Sequence, residues 1–322
     1  MDTRREFLSR SFLGVASLSV IGVDAVRAVD KKPSPLDVID CHTHFYDPTR
    51  PEGIPWPKKG SSLYRPVLPR HLRALSHAKK VTGTVIVEAS SRLEDNQWLL
   101  DIARDDPFVV GIVGHLNPGQ KEYVGHVRRF AKNPLFRGIR VGQGVVSSVL
   151  KSGDMSVFKI LQDHDLELDV NGGPTMPLVV SRLAQQMPGL RILVNHIGNV
   201  KIDRNAPSTD WAKAIRAAAA HKNVYCKVSA MVEGASRDGG KAPADVEFYR
   251  PYLDIVWNAF GDRRVIYGSD WPVSERAASY RIQQQIVLDY VADRGEAALK
   301  GFCSLNAKRA YKWVERKGRL AS

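Results

Sequence analysis

The sequence predicts a (β/α)8 barrel. Three observations carry the prediction. Short β-branched runs alternate eight times with amphipathic stretches from residue 36 onward. The alternation fills about 290 residues, a common length for such a barrel. Every run also ends in titratable or amide residues, as expected where the C-terminal ends of barrel strands carry chemistry. A doubly wound open sheet is the alternative. It usually needs fewer strands and a Gly-rich phosphate turn, and no G-x-G-x-x-G follows the first run.

The runs lie at 38–44, 84–89, 109–115, 137–141, 167–171, 192–196, 224–229 and 265–268. Helical stretches are expected near 70–80, 94–105, 120–132, 154–164, 178–187, 209–221, 245–260 and 276–293. Two connections are long. Residues 45–69 carry six prolines with Trp56 and Tyr64, and 231–244 are Gly-rich. Both follow a strand, so both are expected on the catalytic face as lids.

The first run ends His42-Thr43-His44, and two residues of spacing put both imidazoles on one face of a strand. The second ends at Glu88, the third at His115 and Asn117, and the fourth at Arg140. The fifth ends at Asp169 and Asn171, the sixth at His196, the seventh at Lys227 and Ser229, and the eighth at Asp270. Unpaired buried polar groups cost free energy, so a ring built for stability alone would not collect them. A carboxylate facing several imidazoles takes a proton from water. His42, His44 and His196 would polarise a carbonyl, directly or through a metal. Arg140 and Lys227 would hold a carboxylate or hydroxyls of the substrate. Such a set suits hydrolysis of an ester-like or amide-like bond, or decarboxylation.

Composition narrows the classes. Of 322 residues, 43% are apolar and 25% charged, which fits a folded globular chain and excludes disorder. No apolar run reaches the length of a transmembrane anchor. Three cysteines, Cys41, Cys226 and Cys303, are too few for a disulfide scaffold and read as small buried hydrophobes. The net charge of +13 makes the surface basic. No nucleic-acid-binding module is visible, and the expected partner is a small molecule, anionic or sugar-derived. The basic segment 308–319, with Tyr311 and Trp313, reads as a terminal helix docked by its aromatics. The sequence sets no oligomeric state.

Residues 1–28 read as an address. Thr3-Arg4-Arg5-Glu6-Phe7-Leu8-Ser9 matches a twin-arginine signal, followed by a mildly apolar stretch and Val26-Arg27-Ala28 as a cleavage site. The expected organisation is a signal at 1–28, a linker at 29–35 and a single barrel domain at 36–322. The implied partner is the twin-arginine export machinery, and the implied location is the periplasm or beyond.

Asp40-Cys41-His42-Thr43-His44-Phe45-Tyr46-Asp47 resembles the opening of the amidohydrolase-related family. Val85-Ile86-Val87-Glu88-Ala89, Phe136-Arg137-Gly138-Ile139-Arg140, Asn195-His196-Ile197-Gly198 and Cys226-Lys227-Val228-Ser229 follow in that family's order. The stretch from Phe260 to Val273, containing Gly268-Ser269-Asp270-Trp271-Pro272, is similar to the branch of L-fuconolactonase and 2-pyrone-4,6-dicarboxylate lactonase. The resemblance implies a hydrolase that opens a lactone of a sugar acid or related carboxylated molecule. It implies Asp270 as general base, His42, His44 and His196 at the lactone carbonyl, and Glu88, His115, Arg140, Asn171 and Lys227 around the substrate.

Departures from the pattern bear on the metal and the substrate. Asn171 stands near the place where metal-dependent members have a histidine, and Arg140 stands where a carbamylated lysine would. That leaves His42, His44 and Asp270 as ligands for any metal. The resemblance therefore implies either no required cofactor or one divalent ion, zinc or manganese. Glu88 replaces a glutamine common in sugar lactonases. A metal-dependent decarboxylase or amidohydrolase is the alternative reading, and a non-catalytic carbohydrate-binding barrel is a third.

Overall fold

The computed structural model describes residues 36–318; the segments 1–28 and 29–35 lie outside the described residues. Eight parallel strands run in sequential order around a nearly closed barrel. They are β1 (Ile39–Thr43), β2 (Gly83–Val87), β3 (Val109–Gly114), β4 (Phe136–Gly142), β5 (Glu167–Asn171), β6 (Ile192–Val194), β7 (Val224–Val228) and β8 (Val265–Tyr267). A bridge from Thr43 to Trp271 brings β1 against the segment after β8.

The helices among the described residues are α1 (Pro69–Arg73), α2 (Leu93–Asp105), α3 (Tyr123–Phe130), α4 (Gln143–Ser152), α5 (Ser156–Asp163) and α6 (Met176–Gln186). There follow α7 (Thr209–Ala219), α8 (Met231–Ala235), α9 (Val246–Phe260), α10 (Tyr280–Ala292), α11 (Glu296–Lys300) and α12 (Asn306–Tyr311). Asp245 caps α9 through Glu247 N at 3.0 Å, satisfying an end donor that α9 itself leaves unpaired. The expected helix near 70–80 shrinks to α1, because Ser76 to Lys80 run out into a turn. Helix α4 was not expected. Its Gly and Ser content gives a poor helical signal, and burial of Val146 and Val149 supplies what propensity does not. The Gly-rich connection after β7 begins with α8 and turns at Gly239 and Gly240, both at positive φ.

Two apolar layers result. One lies between strands and helices. The other fills the barrel itself with Ile39, Cys41, Val85, Val110, Leu193 and Ile266. The C-terminal segment closes the bottom, where Tyr311 is wholly buried and Trp313 nearly so. Arg316 donates to the carbonyls of Asp106 (2.8 Å) and Val109 (3.0 Å), tying the tail beneath β3. All three cysteines are buried and unpaired.

Gly268 has a packing reason. A Cβ there would meet the His42 Cβ at 2.9 Å, so only glycine lets β8 approach β1 at the level of the histidines. Asp40 fastens the same seam. It accepts from Ser269 N (2.9 Å), His42 N (3.1 Å) and Tyr280 Oη (2.8 Å). Burial raises its pKa to about 6, against those hydrogen bonds.

Candidate active site

Strand β1 carries an irregularity that builds the site. Asp40 pairs with Thr84 and Thr43 with Ile86, so β1 spends one extra residue there. Before the bulge, Ile39 and Cys41 point into the barrel and Asp40 points out toward α10. After it, His42 and His44 also reach the interior, where they meet Lys227 and Asp270. Strict alternation would have put both imidazoles on the side of Asp40.

Two other site residues sit on strained backbone. His196 (φ 54°) and Asp270 (φ 64°) are both in the left-handed region, as is Asn199 (φ 47°). Each such residue costs roughly 1–2 kcal/mol, least for Asn and Asp. The cost is incurred where β6 and β8 end, and it turns both side chains over the barrel mouth. Asp270 N also donates to the His42 carbonyl at 2.8 Å.

Three imidazoles surround the Asp270 carboxylate. Its Oδ1 lies 3.1 Å from His44 Nε2, 3.4 Å from His42 Nε2 and 3.8 Å from His196 Nε2. Each ring is held from behind. His44 Nδ1 lies 2.9 Å from the Val87 carbonyl, His196 Nδ1 lies 2.8 Å from Ser229 Oγ, and His42 Nδ1 lies 3.2 Å from Lys227 Nζ. Burial alone would raise Asp270; the charges of His196 and His44 and the hydrogen bond from His44 outweigh it and hold the pKa at about 2. Burial brings His196 down to about 4 and, with Lys227 adding repulsion, takes His42 well below the usual range. At neutral pH Asp270 is therefore a carboxylate, and His42 and His196 are neutral imidazoles.

Because Asp270 and His196 are already in their basic forms above about pH 4, neither should give kcat/KM an acid limb between about pH 5 and 8, and the rate should fall below about 4. An NMR titration of the His196 ring checks this; a midpoint near pH 6.5 would show that His196 titrates unshifted.

The mouth above Asp270 is a cavity of about 320 Å³, lined by His44, Trp56, Arg140, Asn171, His196 and Asn199 among others. Arg140 and Asn171 also line an adjoining cavity of about 360 Å³, together with Glu88, His115 and Asn117. Arg140 is already engaged, donating from Nε to Glu88 Oε1 and from Nη2 to the Glu88 carbonyl, both at 2.9 Å.

Lys227 is not in either cavity. It is wholly buried below His42, with Nζ 2.6 Å from Asp169 Oδ2. The physical reason is register: Asp169 stands one inward step below Asn171 on β5, and the salt bridge needs both charges at that depth. Tyr311 Oη reaches the other Asp169 oxygen at 3.4 Å from beneath.

Three groups were not singled out from the sequence as site residues. Trp56, from the proline-rich connection, stands over the cavity with its ring 6.1 Å from the His44 ring. Asn199 donates to Asn171 Oδ1 at 2.9 Å. Glu233 of α8 has both carboxyl oxygens buried without a hydrogen-bond partner among the described residues. Burial, then the charge of Asp270, raises its pKa well above the usual carboxylate range. The only available signal was their place after strand ends.

The donors fit a divalent ion. His42 Nε2 is buried and has no hydrogen-bond partner among the described residues. Ligand atoms of His42, His196 and Asp270 lie within 4.8 Å of one another. This compact set has His196 where the sequence suggested His44, because the left-handed turn at His196 swings that ring inward. Three protein ligands leave a position for water or substrate. A proton on His42 Nε2 would have to leave on metal binding.

The profile of the amidohydrolase family matches residues 39–313. An L-fucono-1,5-lactonase of Burkholderia ambifaria is 31% identical over 249 residues, covering 75% of this chain and 82% of that enzyme. An L-fucono-1,5-lactonase of Burkholderia multivorans is 28% identical over 278 residues, covering 81% and 90%. The crystal structure of an amidohydrolase from Burkholderia multivorans with bound zinc has a TM-score of 0.77 at 27% identity, covering 86% of this chain and 100% of that one. With its eight-stranded barrel and its histidine–aspartate centre, this chain belongs to the amidohydrolase family.

Proposed function

We propose that this protein is a hydrolase that opens a lactone of a sugar acid or a related small molecule, with Asp270 as general base. One observation carries the reading. A buried carboxylate faces three imidazoles within 3.8 Å at the floor of a cavity of about 320 Å³. The resemblance to two L-fucono-1,5-lactonases supports the reaction class.

In this reading a water beside Asp270 gives its proton to the carboxylate as it attacks the lactone carbonyl. The polar hydrogen of the His196 ring meets the developing oxyanion, and the ring C–O bond breaks as Asp270 passes the proton to the leaving ring oxygen, giving a hydroxy acid. Lys227 donates to His42 Nδ1 and so leaves the neutral ring's hydrogen on Nε2, facing Asp270. A divalent ion, zinc or manganese, would polarise the carbonyl and acidify the water when bound to His42, His196 and Asp270.

The cavity favours an uncharged ring. Glu88 balances Arg140, so a carboxylated substrate would meet no uncompensated cation there. Asn171, Asn199 and His115 suit ring hydroxyls, and Trp56 offers a flat face. Trp56→Ala is expected to raise KM roughly threefold to tenfold with kcat nearly unchanged, the loss of about 0.5–1.5 kcal/mol of ring contact. Unchanged KM for every lactone turned over would remove that role.

The test is a pH-indicator screen of residues 29–322 against aldonolactones, uronolactones and pyrone carboxylates. Acid release from neutral aldonolactones is the expected result. No acid release across the panel would overturn the lactonase reading and favour the decarboxylase or amidohydrolase alternative. The Arg4-Arg5 motif supports export of the folded chain through the twin-arginine machinery to the periplasm. Retention of an Arg4→Lys/Arg5→Lys double variant in the cytoplasm would bear this out.

A further inference from the structure

The second cavity does not end at the substrate ring. The 360 Å³ chamber beside Arg140 shares Asn117, Pro118 and Val145 with a third cavity of about 480 Å³. That one runs along α4 past Ser148 and Val149 to Ser152. Ten residues of helix span about 15 Å, so the groove continues well beyond anything a single lactone ring would fill.

Two glycines keep it open. Gly142 (φ −77°, ψ 153°) has a conformation any residue adopts, and Gly144 lies within α4, where glycine costs stability relative to alanine. A Cβ at either would meet nothing within 4 Å. Neither backbone geometry nor packing calls for glycine at 144, while at 142 it stands at the N-cap of α4, a place glycine shares with Ser, Thr, Asp and Asn. What a side chain would do at either place is fill the groove. The walls are Pro118, Val145, Val149 and Val157, with Asn117 and Asp154 near the rim. No aromatic ring is among the lining residues to stack a second sugar, and no cation to hold an anion.

We propose that this groove binds a linear, uncharged aliphatic extension of the substrate, attached to the ring that sits over Asp270. The proposal rests on the lactonase reading, and the experiment separates the two. Hydrolysis of δ-hexalactone and δ-dodecalactone would be measured with wild type, Gly144→Phe and Ser148→Trp. Binding of the two ring-opened hydroxy acids would be measured by calorimetry on the same proteins. Both substitutions are at exposed positions of α4, so melting temperatures should not change.

A fully buried methylene gives about a fourfold gain in binding. Six methylenes in a half-open groove should then raise kcat/KM at least about tenfold from the six-carbon to the twelve-carbon lactone. Both variants should lose that gain and keep the wild-type rate on δ-hexalactone. A flat series in wild type, or a gain that survives both substitutions, overturns the proposal. So does a preference for lactobiono-δ-lactone with no response to alkyl length, which would assign the groove to a sugar. If neither lactone is hydrolysed but the twelve-carbon acid binds tighter and Gly144→Phe removes the difference, the groove stands and the lactonase reading fails.

Discussion

Asp270→Asn is expected to lower kcat/KM for the lactone by at least about a hundredfold, the usual contribution of a positioned general base. KM should change by no more than a few-fold, because the amide keeps the shape of the side chain. The backbone favours this test. Asp270 sits at φ 64°, and asparagine tolerates the left-handed region better than most residues. The substitution should therefore leave the fold intact, as a melting curve would verify. It also removes a negative charge from among three imidazoles. His196, whose low pKa of about 4 is held up in part by that charge, should then remain neutral at still lower pH. Turnover near the wild-type value would strip Asp270 of its assigned role, since among the described residues no other carboxylate lines the cavity.

Lys227→Met should be the most damaging single change to stability. It leaves the Asp169 carboxylate wholly buried without its cation, with Tyr311 Oη at 3.4 Å. Removing one partner of such a pair costs about 3–5 kcal/mol, whereas replacing both by apolar groups is often neutral. A sharp fall in melting temperature is expected for the single variant. Lys227→Met/Asp169→Leu should recover most of it. Activity should not recover. His42 Nδ1 would have lost its 3.2 Å partner, and outer-shell losses of this kind cost about 10–100-fold. A stable double variant with full turnover would reduce Lys227 to a structural ion pair.

These two residues illustrate how the sequence can be read. Asp270 was legible because it follows a short β-branched run and stands inside a specific stretch ending Trp271-Pro272-Val273. The same reasoning placed Lys227 at the end of β7, correctly by height along the barrel but on the wrong side of the histidine layer for a substrate contact. Which partner neutralises a buried lysine depends on Asp169 two strands away, and spacing along the chain holds no record of it. Glu233 and Asn199 were silent for the same reason. Each sits in a connection whose path is set by packing.

What the amino-acid sequence determined by itself was periodic. Eight alternations of β-branched runs and amphipathic helices dictate a barrel, since each strand and helix has one apolar face to bury. The polar residues that end the runs then dictate which end of the barrel carries the site. What only the tertiary structure decided was direction. The extra residue in β1 puts His42 and His44 on the inner face that alternation would have denied them. The left-handed turns at His196 and Asp270 bring those side chains to the same point. A bulge is defined only by the register of two paired strands, and a strained φ persists only when the surrounding packing outweighs its cost. Both belong to the assembled barrel and not to any local stretch of chain.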